Sequence, residues 1–128
     1  GVSKEEARKI KIEAGLSKDY KDGAVYAALL PLVSALADEL KKNIAFYREH
    51  RTHRHGMPED IARVVLSGGD SNLTNLTNYL GVVLKKEVKI GNPLSRLLLE
   101  KHFVPPFSKN ESLKYTTAIG AALRGAGL

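Results

Sequence analysis

Apolar positions recur every three or four residues from about Ala24 to His50, which predicts a long helix that builds most of the core. The apolar stripe of this helix comprises Leu29, Leu32, Val33, Leu36, Leu40, Ile44 and Tyr47. Pro31 lies inside the pattern. Either a kink at this residue or a fresh helix start with proline in the first turn would accommodate it.

A shorter helix is predicted near the start of the chain. Ser3 and Glu6 have the spacing of a capping box, in which each side chain satisfies a backbone donor of the other residue. Gly15 is placed to end this helix.

The segment from Ala62 to Leu80 organises the second half of the chain. Val64–Leu66 is apolar, rich in β-branched residues and too short for a helix, so it predicts a buried strand. Gly68 and Gly69 break the strand before a helix with leucines on one face. The candidate caps of that helix are Asp70, Ser71 and Asn72. A glycine pair before a helix N-terminus often holds a phosphate or nucleoside, because the backbone is approachable and N–H groups are free.

The remaining pattern completes an α/β chain. Glu87–Gly91 alternates and predicts a second strand, so the order strand, helix, strand implies a right-handed crossover between parallel strands. A last helix is predicted from Ser112 or Lys114 to Leu123. Its inward residues are Tyr115, Ile119 and Ala122, with Gly120 and Gly125 placed for close packing and a stop.

Composition narrows the possible classes of protein. The 128 residues carry a net charge of +6 and include no cysteine, which excludes disulfides and thiolate metal sites. Ala24–Ala37 is shorter than the roughly 18 residues of a membrane span. The polar stretch His50–Pro58 marks the clearest boundary. It divides the chain into a helical part, 1–57, and a β-α-β-α part, 58–128.

Histidine and arginine are concentrated around this boundary. His50, His53 and His55 lack the helical spacing of a metal site, so a solvated loop is predicted there. Together with Arg48, Arg51 and Arg54 they could instead contact an anionic surface. The alternative function is therefore a small basic module that contacts nucleic acid or membrane through residues 48–55. No aromatic stacking partners accompany these cations, and nucleic-acid binding is not expected.

Several segments together resemble the C-terminal part of actin-like ATPases. The branch that they resemble most is the family of type IV pilus assembly protein PilM, followed by the cell-division protein FtsA. Val64–Leu76 is similar to the adenosine motif of these proteins and Tyr115–Gly125 to their closing helix. Leu32–Tyr47 is similar to the long helix before the adenosine strand. Ala7–Gly15 is similar to a helix of the upper second-lobe subdomain.

This resemblance implies a helix-rich fragment of the second lobe of an actin-like (ribonuclease H-like) ATPase fold. It covers about the last third of such a protein, and the two earlier phosphate loops have no counterpart in the chain. The resemblance therefore implies the adenosine side of a Mg-ATP cleft without a catalytic centre. The chain alone is expected to be inactive, and whether the parent protein hydrolyses ATP stays open.

The resemblance also assigns candidate nucleotide-binding residues. They are Gly68, Gly69, Asp70 and Asn72 of the adenosine motif, and Lys11 and Arg8 of the first helix. Lys11 matches a lysine that lies against adenine and ribose. Arg8 stands where the family has a ribose-binding glutamate, and a cation cannot accept a hydrogen bond from a hydroxyl. Asn75 replaces a family glycine, but asparagine tolerates the left-handed conformation, so the turn can form.

The expected partners also follow from the resemblance. They are the remainder of the actin-like fold and an inner-membrane pilus assembly protein that docks on the first lobe, which places the protein in the cytoplasm. A two-stranded fragment would expose a strand edge, and such an edge can pair with a second copy. A homo-oligomer is therefore a further expectation.

Overall fold

The computed structural model describes residues 2–51, 60–95 and 104–127. The described ranges contain helices and two strands, as expected for an α/β chain, and the strands flank one helix. The elements are α1 (Lys4–Ala14), α2 (Ala24–Arg51), β1 (Arg63–Leu66), α3 (Leu76–Leu84), β2 (Glu87–Ile90), α4 (Lys109–Ser112) and α5 (Thr116–Gly125). Within the described residues, short 3-10 turns cover Tyr20–Gly23, Gly69–Asn72 and Leu113–Tyr115.

The two strands form a parallel pair joined through α3, which confirms the predicted parallel arrangement. The right-handed sense of the crossover stays a prediction. Just after β2, the Gly91 amide donates to the Leu66 carbonyl at 2.8 Å, so the carboxyl ends of both strands meet. A Cβ atom at Gly91 would lie 3.1 Å from the same carbonyl oxygen. The close approach of the two backbones is therefore easiest with glycine at this position.

The chain forms two compact units that interleave in sequence. The first unit comprises Gly1–Val64 and Leu73–Val88. The second unit comprises Val65–Asn72 and Lys89–Leu128. The predicted division at residue 57 falls outside the described residues and stays a prediction.

The core of the first unit lies where α2 meets α1 and α3. Its buried apolar residues are Ala14, Leu16, Val33, Ala37, Leu76, Leu80 and Leu84. The Ser3 hydroxyl caps α1 by accepting from the Glu6 amide at 3.2 Å, and Gly15 ends the helix with φ +50°. The stop at Gly15 and the Ser3 half of the predicted capping box are confirmed. The α2 helix continues through Pro31, so the alternative of a fresh helix start is wrong, and a kink within the helix stays a prediction.

The predicted apolar stripe of α2 is only partly buried. Val33 is buried, but Leu32 is 69% exposed, and Leu36 and Tyr47 are also exposed. Helix length explains the difference. At about 1.5 Å per residue, the nine residues of α3 extend about 13 Å and the 28 residues of α2 about 42 Å. A neighbour as short as α3 leaves much of the stripe uncovered.

Among the described residues, the longest helical stretch is a candidate membrane span by length and composition. By length and composition alone, the helical stretch Tyr20–His50 is long and apolar enough to cross a membrane, contrary to the expectation drawn from Ala24–Ala37. The core helices of soluble proteins pass the same test. The hydrogen bond between Ser34 Oγ and Tyr79 Oη, at 2.9 Å, ties this helix to α3.

The second unit buries Leu94, Ser112 and Leu113. The inward positions predicted for Tyr115 and Ala122 are wrong, because both residues are exposed. The predicted helix is in fact divided into α4, a 3-10 turn and α5. A 3-10 turn has three residues per turn instead of 3.6, which changes the face that points inward. Close packing at Gly120 is also wrong, since no described atom lies within 4 Å of a Cβ placed there.

A small ion cluster joins α2 to the turn between α3 and β2 in the first unit. The Asp60 carboxylate pairs with Lys86 Nζ at 2.8 Å and with Arg48 Nε at 3.6 Å. The hydrogen bond from Lys86, together with the nearby Arg48 charge, lowers the pKa of Asp60 below its usual value of 3.8. Protonation of this carboxylate therefore opposes folding.

The Asp60→Asn variant is expected to be less stable than the wild type at neutral pH and to lose less stability in acid. A carboxyl whose pKa is lowered by folding stabilises the protein above its unfolded-state value. That stabilisation disappears as the pH falls below 3.8 and through the folded-state pKa. Thermal melts from neutral pH to about pH 2 should show the two curves converging. A gap that stays constant with pH would contradict the assignment, and Lys86→Gln should have little further effect in the variant.

Candidate functional site

The predicted glycine pair begins a tight turn in the second unit. Gly68 has φ +96°, a conformation that favours glycine. Its amide donates to the Leu113 carbonyl at 3.1 Å, and its carbonyl accepts from the Ser71 amide at 3.1 Å. The turn after β1 is thus fixed by the segment before α5, and the Gly68 N–H group is already engaged within the protein.

The predicted caps do not start a helix. Asp70, Ser71 and Asn72 lie in the 3-10 turn, and α3 begins only at Leu76. The residue before α3, Asn75, has φ +63° and makes no side-chain cap hydrogen bond. This left-handed residue follows the 3-10 turn and delays the helix, so the N-terminus of α3 does not directly follow the glycine pair. The expectation that Asn75 adopts the left-handed conformation is confirmed.

The surface of the turn is open at Gly68 and bordered by the Lys114 side chain at Gly69. No described atom lies within 4 Å of a Cβ placed on Gly68. A Cβ on Gly69 would lie 3.6 Å from the Lys114 Cβ, which is ordinary van der Waals contact. A ligand could therefore approach the backbone at Gly68.

Asn72 supplies an acceptor that the described protein leaves unsatisfied. Its Nδ2 donates to the Asn110 carbonyl at 2.8 Å, which orients the side chain. Its Oδ1 is buried and has no hydrogen-bond partner among the described residues. Buried polar atoms are rarely left unpaired, so an orphaned acceptor is unusual. A hydroxyl or amino group is the kind of donor that would satisfy it.

Residues 109–115 contact the turn at Gly69–Asn72, and this contact was not predicted from the sequence. Lys114 Nζ lies 5.0 Å from the ring centroid of Tyr115, and the rings of Tyr115 and Phe107 are 5.5 Å apart. The neighbouring Ser108 and Glu111 form a complete capping box. Hydrogen bonds from the Ser108 backbone and hydroxyl lower the pKa of Glu111. In the sequence, the capping-box spacing of Ser108 and Glu111 is the local pattern that indicates the start of α4.

The two candidate residues on α1 belong to the first unit. Lys11 and Arg8 are three residues apart and therefore share a side of the helix. Arg8 is exposed and Lys11 is half-buried. The Lys11 carbonyl accepts from the Gly15 amide at 3.0 Å, at the end of the helix. The glycine turn belongs to the other unit, so a joint site of Lys11 and the turn stays a prediction.

The basic segment at 48–55 is partly helical. The α2 helix extends to Arg51, so residues 48–51 belong to the long helix, which was predicted to end at about His50, and not to a loop. Arg48 pairs with Asp60, and His50 Nδ1 lies 2.8 Å from the Phe46 carbonyl. His53, Arg54 and His55 lie outside the described residues. No metal-binding cluster of three His, Cys, Asp or Glu residues occurs in the described ranges.

Comparison with known proteins agrees with the resemblance found in the sequence. A search of the curated proteins gives no match to this chain. The family model for type IV pilus assembly protein PilM matches residues 1–126. The match includes both units and every candidate site residue. The chain therefore belongs to the family of type IV pilus assembly protein PilM.

Proposed function

We propose that this chain supplies the adenosine side of the ATP cleft in a PilM-like scaffold for type IV pilus assembly. Membership of the PilM family implies involvement in pilus assembly and suggests an actin-like fold. The role in the ATP cleft goes beyond what family membership implies. The observation that carries it is the orphaned acceptor of Asn72, next to the glycine turn.

The residues of the second unit fit a nucleoside. Adenosine carries ribose hydroxyls and an exocyclic amino group, and each of these can donate to Asn72 Oδ1. Gly68 leaves room for a ligand at the backbone, while the stem of the Lys114 side chain lies beside Gly69. In the first unit, Lys11 would add a further contact. Arg8 cannot accept from a hydroxyl, so it would favour an anionic group over the ribose.

The chain would bind a nucleotide without hydrolysing it. Hydrolysis would break a phosphoanhydride bond of ATP, whereas the proposed site contacts the adenosine part of the nucleotide. The phosphate loops, the metal and the attacking water belong to the missing part of the proposed parent. In this proposal the chain packs against the remainder of the actin-like fold, and the protein is cytoplasmic. The remainder of the fold binds an inner-membrane pilus protein. The two-stranded sheet of the described ranges supports the further proposal that isolated chains associate through strand edges.

Titration of the 15N-labelled chain with ADP tests the proposal. The amides of Gly68, Gly69, Asp70 and Asn72 should shift in parallel with those of Lys11 and Arg8. Asn72→Leu should weaken ADP binding about fivefold to tenfold, the effect of losing roughly one hydrogen bond. Asn78→Leu is the matched control, since it removes an exposed amide from α3. Circular dichroism of both variants checks that they fold.

Two outcomes would overturn this function. The first is the absence of any shift at millimolar ADP. The second is a response confined to the signals of residues 48–55, caused by DNA or anionic vesicles and removed by salt. That second outcome would establish the basic module predicted as the alternative. Inorganic tripolyphosphate serves as the control ligand, because it carries charge but no nucleoside.

A further inference from the structure

A single threonine joins the end of α1 to the start of α3 within the first unit. The Thr74 hydroxyl donates to the Ile12 carbonyl at 2.9 Å. The Thr74 carbonyl accepts from the Leu16 amide, also at 2.9 Å. Ile12 belongs to the last turn of α1, where carbonyls lack partners within the helix. Thr74 therefore binds the helix end on both sides of Gly15.

The contact at Gly15 makes this connection tight. A Cβ on Gly15 would lie 2.5 Å from the Thr74 carbonyl oxygen and 2.7 Å from the Thr74 Cβ. Gly15 also has φ +50°, where side chains are strained. The two backbones thus approach at a distance that only glycine allows, and the end of α1 has little freedom to move against Thr74.

We infer that Thr74 is a positioning residue for Lys11. Lys11 directly precedes Ile12, and its carbonyl accepts from the Gly15 amide at 3.0 Å. The hydrogen bonds of Thr74 therefore set the direction of the helix turn that carries Lys11. This inference rests on the proposed function, in which Lys11 contacts the nucleoside.

The hydroxyl of Thr74 can be removed with little effect on the core. Thr74 is exposed, so its side chain contributes little apolar burial. Thr74→Val keeps the shape and removes the hydroxyl, whereas Thr74→Ser keeps the hydroxyl and removes a methyl group. The comparison separates the hydrogen bond to Ile12 from general packing.

Thr74→Val is expected to weaken ADP binding about fivefold, or about 1 kcal/mol of binding free energy, because Lys11 is no longer held in place. The amide signals of Ile12 and Lys11 should shift in the nucleotide-free protein, and the melting temperature should fall by the few degrees that one hydrogen bond stabilises. Thr74→Ser should restore both the affinity and the signals. NMR titration and thermal melts of the full chain provide these measurements.

The outcomes distinguish this inference from the proposed function. If the wild type binds ADP and Thr74→Val binds it equally well, the inference fails and the function stands. If the wild type does not bind ADP, the function fails. The nucleotide-free spectra then decide the positioning: Lys11 shifts that Thr74→Ser reverses support it, and unchanged spectra overturn it. A matching loss of stability and affinity that serine does not rescue would reduce Thr74 to a structural role.

Discussion

Replacing Gly15 by alanine is expected to destabilise the first unit by about 2–4 kcal/mol. Two effects add. The φ of +50° is strained for any residue with a Cβ. The new methyl group would also lie 2.5 Å from the Thr74 carbonyl oxygen, a backbone atom that cannot rotate away. The end of α1 and the segment before α3 must separate to accommodate it.

Urea unfolding measured by circular dichroism would give this difference. Gly81→Ala is the matched control in the same unit, because Gly81 is helical and its added Cβ would meet the Lys86 carbonyl at 3.5 Å, an ordinary contact. Alanine there should be neutral or stabilising by up to about 1 kcal/mol. Equal stability of Gly15→Ala and wild type would show that α1 is not held against Thr74 as described.

Replacing Leu80 by alanine should destabilise the first unit by about 3 kcal/mol, as expected for truncation of a well-packed leucine. Leu80 is 0% exposed and lies between Leu76 and Leu84 on the buried face of α3. The cost combines the lost transfer of apolar atoms from water with the cavity that remains. The same unfolding measurement applies.

Val82→Ala provides the comparison within one helix. Val82 is two residues from Leu80 but 78% exposed, so its truncation should change stability by less than about 0.5 kcal/mol. Similar losses for the two variants would mean that α3 does not present its leucine face to the core. A large loss for Val82→Ala alone would mean that the two faces are reversed.

Local patterns predicted the elements of the fold better than their surroundings. The strand at Val64–Leu66 and the leucine face of α3 were both predicted, because each depends on residues close in sequence. The predicted burial of the strand is wrong, since Val65 is 60% exposed and no residue of β1 is buried. The exposure of Leu32 on α2 was not predicted. Periodicity shows that a helix has an apolar face, but it does not show whether a neighbouring element is long enough to cover that face.

The second unit shows where a helical pattern misleads. Tyr115 was expected inside and Leu113 was not considered, yet Leu113 is fully buried and Tyr115 is exposed. The 3-10 turn between α4 and α5 is bonded to the glycine turn, because the Leu113 carbonyl accepts from the Gly68 amide. Such a contact joins residues far apart in the chain, so it cannot be predicted from local residue spacing.

Part of the candidate site followed from residue chemistry alone. The left-handed conformation of Asn75 was predicted because asparagine tolerates it. The helix caps at Asp70 and Asn72 were wrong, because a 3-10 turn and a left-handed residue come before the helix. The partner of Asn72, the Asn110 carbonyl, is 38 residues away and could not be found from spacing.

The interleaving of the two units has a consequence for any attempt to divide this protein. The chain leaves the first unit after Val64, contributes Val65–Asn72 to the second unit, and returns at Leu73. A single cleavage therefore cannot release either unit intact. A cut after Val88 would leave the glycine turn on one piece and its hydrogen-bond acceptor, the Leu113 carbonyl, on the other. A fragment that keeps the glycine turn must therefore also keep the segment before α5.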